Sequence, residues 1–158
     1  MTAFPPVWGY FVLVVTSAVL LQAAWTDLRE YKIRNELILA LAGLFVLYTI
    51  LTGQWANLKW DVAFAALMFV VMLAFYALGW MGGGDAKILG VAFFWTGFSG
   101  ALPFAVLLAL FSSAHAIAAK LGWVKSQVTA TGGRRIPFAP SIAGALICTF
   151  MLKALKLA

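Results

Sequence analysis

Charge is what this chain has least of. Only 10% of its 158 residues are charged and 65% are hydrophobic, where a water-soluble domain has about a quarter charged and about half apolar. The mean hydropathy of +1.01 is too high for a surface that faces water. Several uninterrupted apolar runs approach or exceed the roughly 18 residues that suggest a spanning helix, so lipid is the solvent for most of the chain. Cysteine is nearly absent. Cys148 stands alone, which excludes an intrachain disulfide and a cysteine-built zinc ribbon, and packing is its expected role. The net charge of +6 does not point to nucleic acid. Its basic residues are dispersed at the ends of apolar segments, where membrane proteins carry topology signals. No cleavable leader is expected, because residues 1–6 lack a basic start and the apolar run that follows is too long and ends in charges.

What remains reads as an all-α membrane protein, one polytopic domain over 1–158 with no soluble domain, repeat or low-complexity tract. Six apolar segments are expected at 7–25, 37–52, 62–80, 86–98, 101–119 and 138–152. All seven tryptophans fall at or near segment ends, the depth that indole rings favour. The fourth segment is short: its helix would rise only ~20 Å against a ~30 Å hydrocarbon core. It could start inside the Gly82–Gly84 turn, run on to Gly100, or be re-entrant. The longest polar stretch is 120–136.

The charges orient this map. Arg29, Lys32 and Arg34 follow segment one, Lys87 follows segment three, and Lys120, Lys125, Arg134 and Arg135 follow segment five. The opposite loops hold only Lys59. The positive-inside rule therefore puts the N-terminus outside and the basic turns in the cytoplasm. Lys153 and Lys156 then lie outside, against the rule.

Acids are scarcer still. The three aspartates are Asp27, Asp61 and Asp85. Asp27 closes segment one, and Asp85 follows Gly82, Gly83 and Gly84 in a turn between helices three and four. Both reach the same cytoplasmic boundary, while Asp61 starts segment three on the other side. Two carboxylates at one depth are the minimum apparatus for aspartyl hydrolysis: one takes a proton from water and the other donates to the scissile carbonyl. Held close, they cannot both ionise easily and share a proton. Three successive glycines permit backbone angles that other residues avoid, and leave room for an extended substrate beside Asp85. A structural reading stands beside this one. Asp85 could cap segment four, and Asp27 could be an interfacial charge paired with Arg29.

The run Asp27-Leu28-Arg29-Glu30-Tyr31-Lys32-Ile33-Arg34-Asn35 resembles the first signature of type IV prepilin peptidases, D-x-R-x-x-x-I-P-N. Met81-Gly82-Gly83-Gly84-Asp85-Ala86-Lys87-Ile88-Leu89 resembles the second, G-x-G-D followed by a basic residue and an apolar helix. The resemblance covers about 20 to 150, and the chain looks like the short branch serving tight-adherence (Flp-type) pili. It implies that Asp27 and Asp85 are the catalytic pair, cutting on the cytoplasmic side of the inner membrane. Gly82, Gly83, Gly84, Lys87 and Arg29 would support the dyad or meet substrate, although Lys87 and Arg29 read more simply as snorkelling anchors. Arg34 stands where the signature has Pro, which bears on the shape of that turn. The extra cytoplasmic region and paired CxxC motifs of the long members are missing, so peptidase activity without methyl transfer is implied. The expected partners are a prepilin or pseudopilin substrate and the bilayer, not nucleic acid, and no metal or organic cofactor is expected.

A proton-coupled carrier using the same acids as relays would need polar residues along a path through the bilayer. Apart from His115 and scattered Ser and Thr there are none. A non-enzymatic assembly subunit would tolerate loss of either acid. His115 itself, inside segment five, is a candidate by default. A neutral, hydrogen-bonded His within the bundle is expected, because no acid shares its depth. The run Ile136-Pro137-Phe138-Ala139-Pro140 reads as a loop leading into a helix, with Pro tolerated in the first turn; it also resembles a family segment.

Overall fold

The computed structural model describes residues 7–123, 127–128, 134–135 and 137–155. Lys125, Lys156 and most of 120–136, with Gly132 and Gly133, lie outside the described residues. Among the described residues five helices carry the fold: α1 (Val7–Glu30), α2 (Asn35–Thr52), α3 (Leu58–Ala77), α4 (Gly83–Lys120) and α5 (Ala139–Ala154). A two-residue antiparallel ribbon, β1 (Gln127–Val128) with β2 (Arg134–Arg135), lies between α4 and α5. Helices α1 to α4 are long and apolar enough to cross a membrane, and α5 is a shorter apolar helix. Their outward faces carry large apolar side chains such as Leu102, Phe98 and Val14, all about 70% exposed, as lipid-facing helices do.

The turns are set by local chemistry. Tyr31 takes a left-handed backbone, φ 53, and its N–H donates to the Asp27 carbonyl at 2.9 Å, closing α1. That conformation costs a non-glycine residue roughly 1–2 kcal/mol. Arg34 precedes α2 at φ −74, ψ 135. This lies within the range that a proline ring imposes, so replacing the signature's Pro with Arg leaves the turn its proline-like shape. Gly53, φ 63, ends α2 by donating to the Thr49 carbonyl.

The fourth and fifth expected segments meet without a loop. Helix α4 runs from Gly83 to Lys120, broken only at Gly97, φ 63, ψ −174. Its first arm, 83–96, packs along α3: Gly83 faces Tyr76, Gly90 faces Phe69 and Gly97 faces Asp61. These glycines recur every seventh residue and let the two helices approach closely, as small residues do between membrane helices. The second arm, 98–120, packs along α5, with Phe111 against Gly144 and Gly100 against Lys153.

A broken helix leaves backbone groups without partners, which is costly away from water. Here two charged side chains supply them. The Phe98 N–H donates to Asp61 Oδ1 at 2.9 Å, and Lys153 Nζ donates to the Thr96 carbonyl at 2.7 Å. Lys153, which runs against the charge rule, is thus engaged by the break in α4.

The buried core gathers Val12, Leu20, Leu41, Ile88, Phe104, Ile142 and Leu146 from α1, α2, α4 and α5. Trp95 belongs to it, at 6% exposed, donating from Nε1 to the Leu41 carbonyl at 3.0 Å. The other six tryptophans are exposed, so Trp95 departs from the interfacial role expected of all seven.

Candidate active site

Asp27 sits one turn before the end of α1 and is only 5% exposed. A carboxylate at such a place needs donors. One comes from α5: the Ala139 N–H donates to Asp27 Oδ2 at 3.0 Å. Ala139 opens that helix, and Pro140 follows it. Pro fits the first turn because the N–H it lacks has no partner inside the helix. The start of a helix carries unpaired N–H groups and a partial positive charge, a ready site for an anion. The run leading into α5 therefore holds Asp27 in place, a role that proline placement alone does not reveal.

Asp85 lies in the first turn of α4, half-buried, with Gly82 as the residue before the helix. Gly83 and Gly84 are helical, and Gly82 has φ −74. None of the three uses the left-handed freedom expected of the glycine run, since the positive-φ glycines are Gly53, Gly79, Gly97 and Gly122. The run serves close approach instead. A Cβ on Gly83 would come 3.2 Å from the Tyr76 ring, and one on Gly84 would come 3.4 Å from Ile33.

That second contact brings the two signature runs together. Ile33, 8% exposed, packs on Gly84, and Lys87 Nζ donates to Asn35 Oδ1 at 3.2 Å. The turn after Asp27 and the helix start bearing Asp85 thus form one packed unit. Lys87 clamps the two runs through Asn35. Arg29 stacks its guanidinium 4.3 Å above the Trp25 ring, a cation–π contact that suits an anchoring residue. Asp61, on α3, lies at the opposite end from Tyr76 and Gly83, beside the break at Gly97.

His115 has a hydrogen-bond partner inside the bundle, as expected, but it is not remote from every acid. On the second arm of α4, its Nδ1 lies 3.5 Å from Ser141 Oγ on α5. Ala139, two residues before Ser141, donates to Asp27. An acid is thus held by the same turn of α5, brought there by the fold from a distant part of the chain. Among the described residues no group of three or more His, Cys, Asp or Glu is placed to hold a metal ion.

An apolar helical bundle with two signature runs packed on each other defines a class of membrane-embedded protein. A family model described as the type IV leader peptidase family matches residues 14–119. The chain belongs to that family, and is a protease by that membership. No curated protein and no solved structure matches it. Ala139 and Ser141 lie beyond the matched residues.

Proposed function

We propose that the protein is an aspartyl endopeptidase of the cytoplasmic membrane that removes the leader from type IV, Flp-like prepilins, using Asp27 and Asp85. The observation that carries this reading is the packing of Ile33 on Gly84 and of Lys87 on Asn35, which joins the Asp27 run to the Asp85 run in a chain of this family. In this reading the chain crosses the bilayer six times, the arms 83–96 and 98–120 counting separately. The N-terminus is outside, and both acids lie at the cytoplasmic boundary. A prepilin keeps its basic leader in the cytoplasm and its apolar helix in the bilayer, so its cut site arrives at that depth.

Asp27 is the base in this reading, because a hydrogen bond from a helix N-terminus favours its ionised form. It takes a proton from water as the water oxygen attacks the scissile carbonyl carbon. Asp85 holds the other proton and gives it to the carbonyl oxygen, forming a tetrahedral diol. Collapse of the diol breaks the C–N bond. The proton taken by Asp27 passes to the departing amine, and a diol hydroxyl returns one to Asp85. The chemistry needs one proton between the two acids at the start and restores it at the end.

The test incubates the purified protein with an Flp-like prepilin and sizes the product. Wild type should yield the shortened pilin, while Asp27→Asn and Asp85→Asn, inserted normally, should yield none. Substantial cleavage by either stable variant would remove that residue from the mechanism.

A further inference from the structure

We propose that His115 is a positioning residue of this site, fixing the start of α5 so that its first amide stays on Asp27. The proposal rests on the peptidase reading above. Ser141 is buried at 2% exposed and lies in the first turn of α5, two residues after Ala139. Its N–H bonds to the Phe138 carbonyl at 3.0 Å, so Ser141 and Ala139 belong to one rigid turn. A group that grips Ser141 therefore also sets where the Ala139 N–H points, and that N–H is the donor to Asp27 Oδ2.

His115 is placed to be that group. Its Nδ1 stands 3.5 Å from Ser141 Oγ, within reach of the hydroxyl proton. A neutral imidazole that accepts at Nδ1 carries its own proton on Nε2. Nε2 is shielded and has no partner among the described residues. The ring thus links α4 to α5 through one nitrogen, on the side where α5 meets α1.

Asp27, held by the same turn of α5 that carries Ser141, is the acid on this side of the bundle. Residues 139–147 of α5 contain no ionisable side chain. On α1, Arg29 is stacked on Trp25 and Glu30 is exposed. On α2, Glu36 pairs with Arg34 at 3.3 Å. On α3, Tyr76 lies against Gly83, and on α4 itself Lys120 is exposed.

The experiment is prepilin cleavage over a pH series with His115→Ala, His115→Asn and Ser141→Ala, each checked for insertion and thermal midpoint. His115→Ala and Ser141→Ala should each lower kcat about tenfold, the effect of one lost hydrogen bond on the barrier, with KM within about twofold. Both should move the acid limb of kcat/KM upward by about half a pH unit, because a looser amide donor favours the ionised form of Asp27 less. His115→Asn, whose carbonyl oxygen falls near the place of Nδ1, should recover most of the rate and restore the limb. Because the two residues act through one contact, the double variant should be no worse than either single one. If His115→Ala fails to insert, the smaller change Ser141→Ala carries the same expectation. A limb that stays put in Ser141→Ala and in folded His115→Ala would overturn the proposal, as would a loss that His115→Asn does not repair. Asp27→Asn separates the two levels. If it is inactive while the His115 variants behave as wild type, only the positioning role falls. If it cleaves normally, the peptidase reading and the proposal fall together.

Discussion

Replacing Gly97 with alanine puts a methyl group where the two arms of α4 meet. The backbone there has φ 63 and ψ −174, a region that costs a residue with a Cβ roughly 1–3 kcal/mol. The new Cβ would lie 2.6 Å from Asp61 Oδ1 and 2.8 Å from its Cγ, so the carboxylate must move. It is not free to do so cheaply, because Oδ1 accepts the Phe98 N–H. Displacing it leaves the Phe98 N–H without that acceptor, about 1–3 kcal/mol more. Gly97→Ala should therefore destabilise the fold by about 2–6 kcal/mol, a large share of a typical stability of about 5–15 kcal/mol. Reversible unfolding in mixed micelles would measure it. In an Asp61→Ala background the clash is gone and only the backbone term remains, so the two changes should cost less together than the sum of each alone. A Gly97→Ala cost below about 0.5 kcal/mol, the range of a surface change, would refute this account of the break. So would a cost that is the same with and without Asp61.

Asp61→Asn keeps an oxygen for the Phe98 N–H and should leave cleavage largely intact, whereas Asp61→Ala should cost about 1–3 kcal/mol of stability; equal unfolding midpoints for the two would sink the capping role. Arg34→Pro should be accepted and should raise stability by about 0.4–1 kcal/mol by stiffening the unfolded chain, with cleavage retained; a variant that fails to insert would show that the Arg34 turn differs from the signature's. Cleavage against pH should be bell-shaped, since one acid must be ionised and the other protonated. A rate that only rises with pH in folded protein would argue for a single base. A cysteine at Gln54 should label from outside and one at Thr129, beyond the described residues, from the cytoplasm, both in a Cys148→Ala background; the reverse pattern would put both acids on the wrong face.

Apolar run length made the helices legible. Expected segments 7–25, 37–52, 62–80 and 138–152 correspond to α1, α2, α3 and α5 with ends shifted by a few residues. The ends moved because polar residues such as Asp27 and Asn35 are helical here, and hydropathy does not register that. The short fourth segment was resolved by an unforeseen device. A single left-handed glycine joins it to the fifth, and its loose backbone groups are met by Asp61 and Lys153. The seventh-residue spacing of Gly83, Gly90 and Gly97 marks a packing face, whereas the glycine run at 82–84 taken alone reads as turn chemistry. The signature runs were legible as local patterns, and with them the family. The Ala139 amide on Asp27 was not, because a backbone N–H looks the same in every residue. For the same reason His115 seemed to lack an acid: its neighbour is far away in sequence and near only once α1, α4 and α5 pack.

Helix α5 emerges from the ribosome after everything the family match covers. A nascent chain that has reached Lys120 already holds Asp27, Asp85, Asp61 and the break at Gly97. It still lacks the amide that holds one acid and the ammonium that quiets the broken carbonyl of Thr96. One short helix meets both needs, Ala139 at one end and Lys153 fourteen residues on at the other. An intermediate without α5 would lack both contacts at once. The donor to Asp27 and the cover for the break at Gly97 would thus arrive in a single step, as α5 docks.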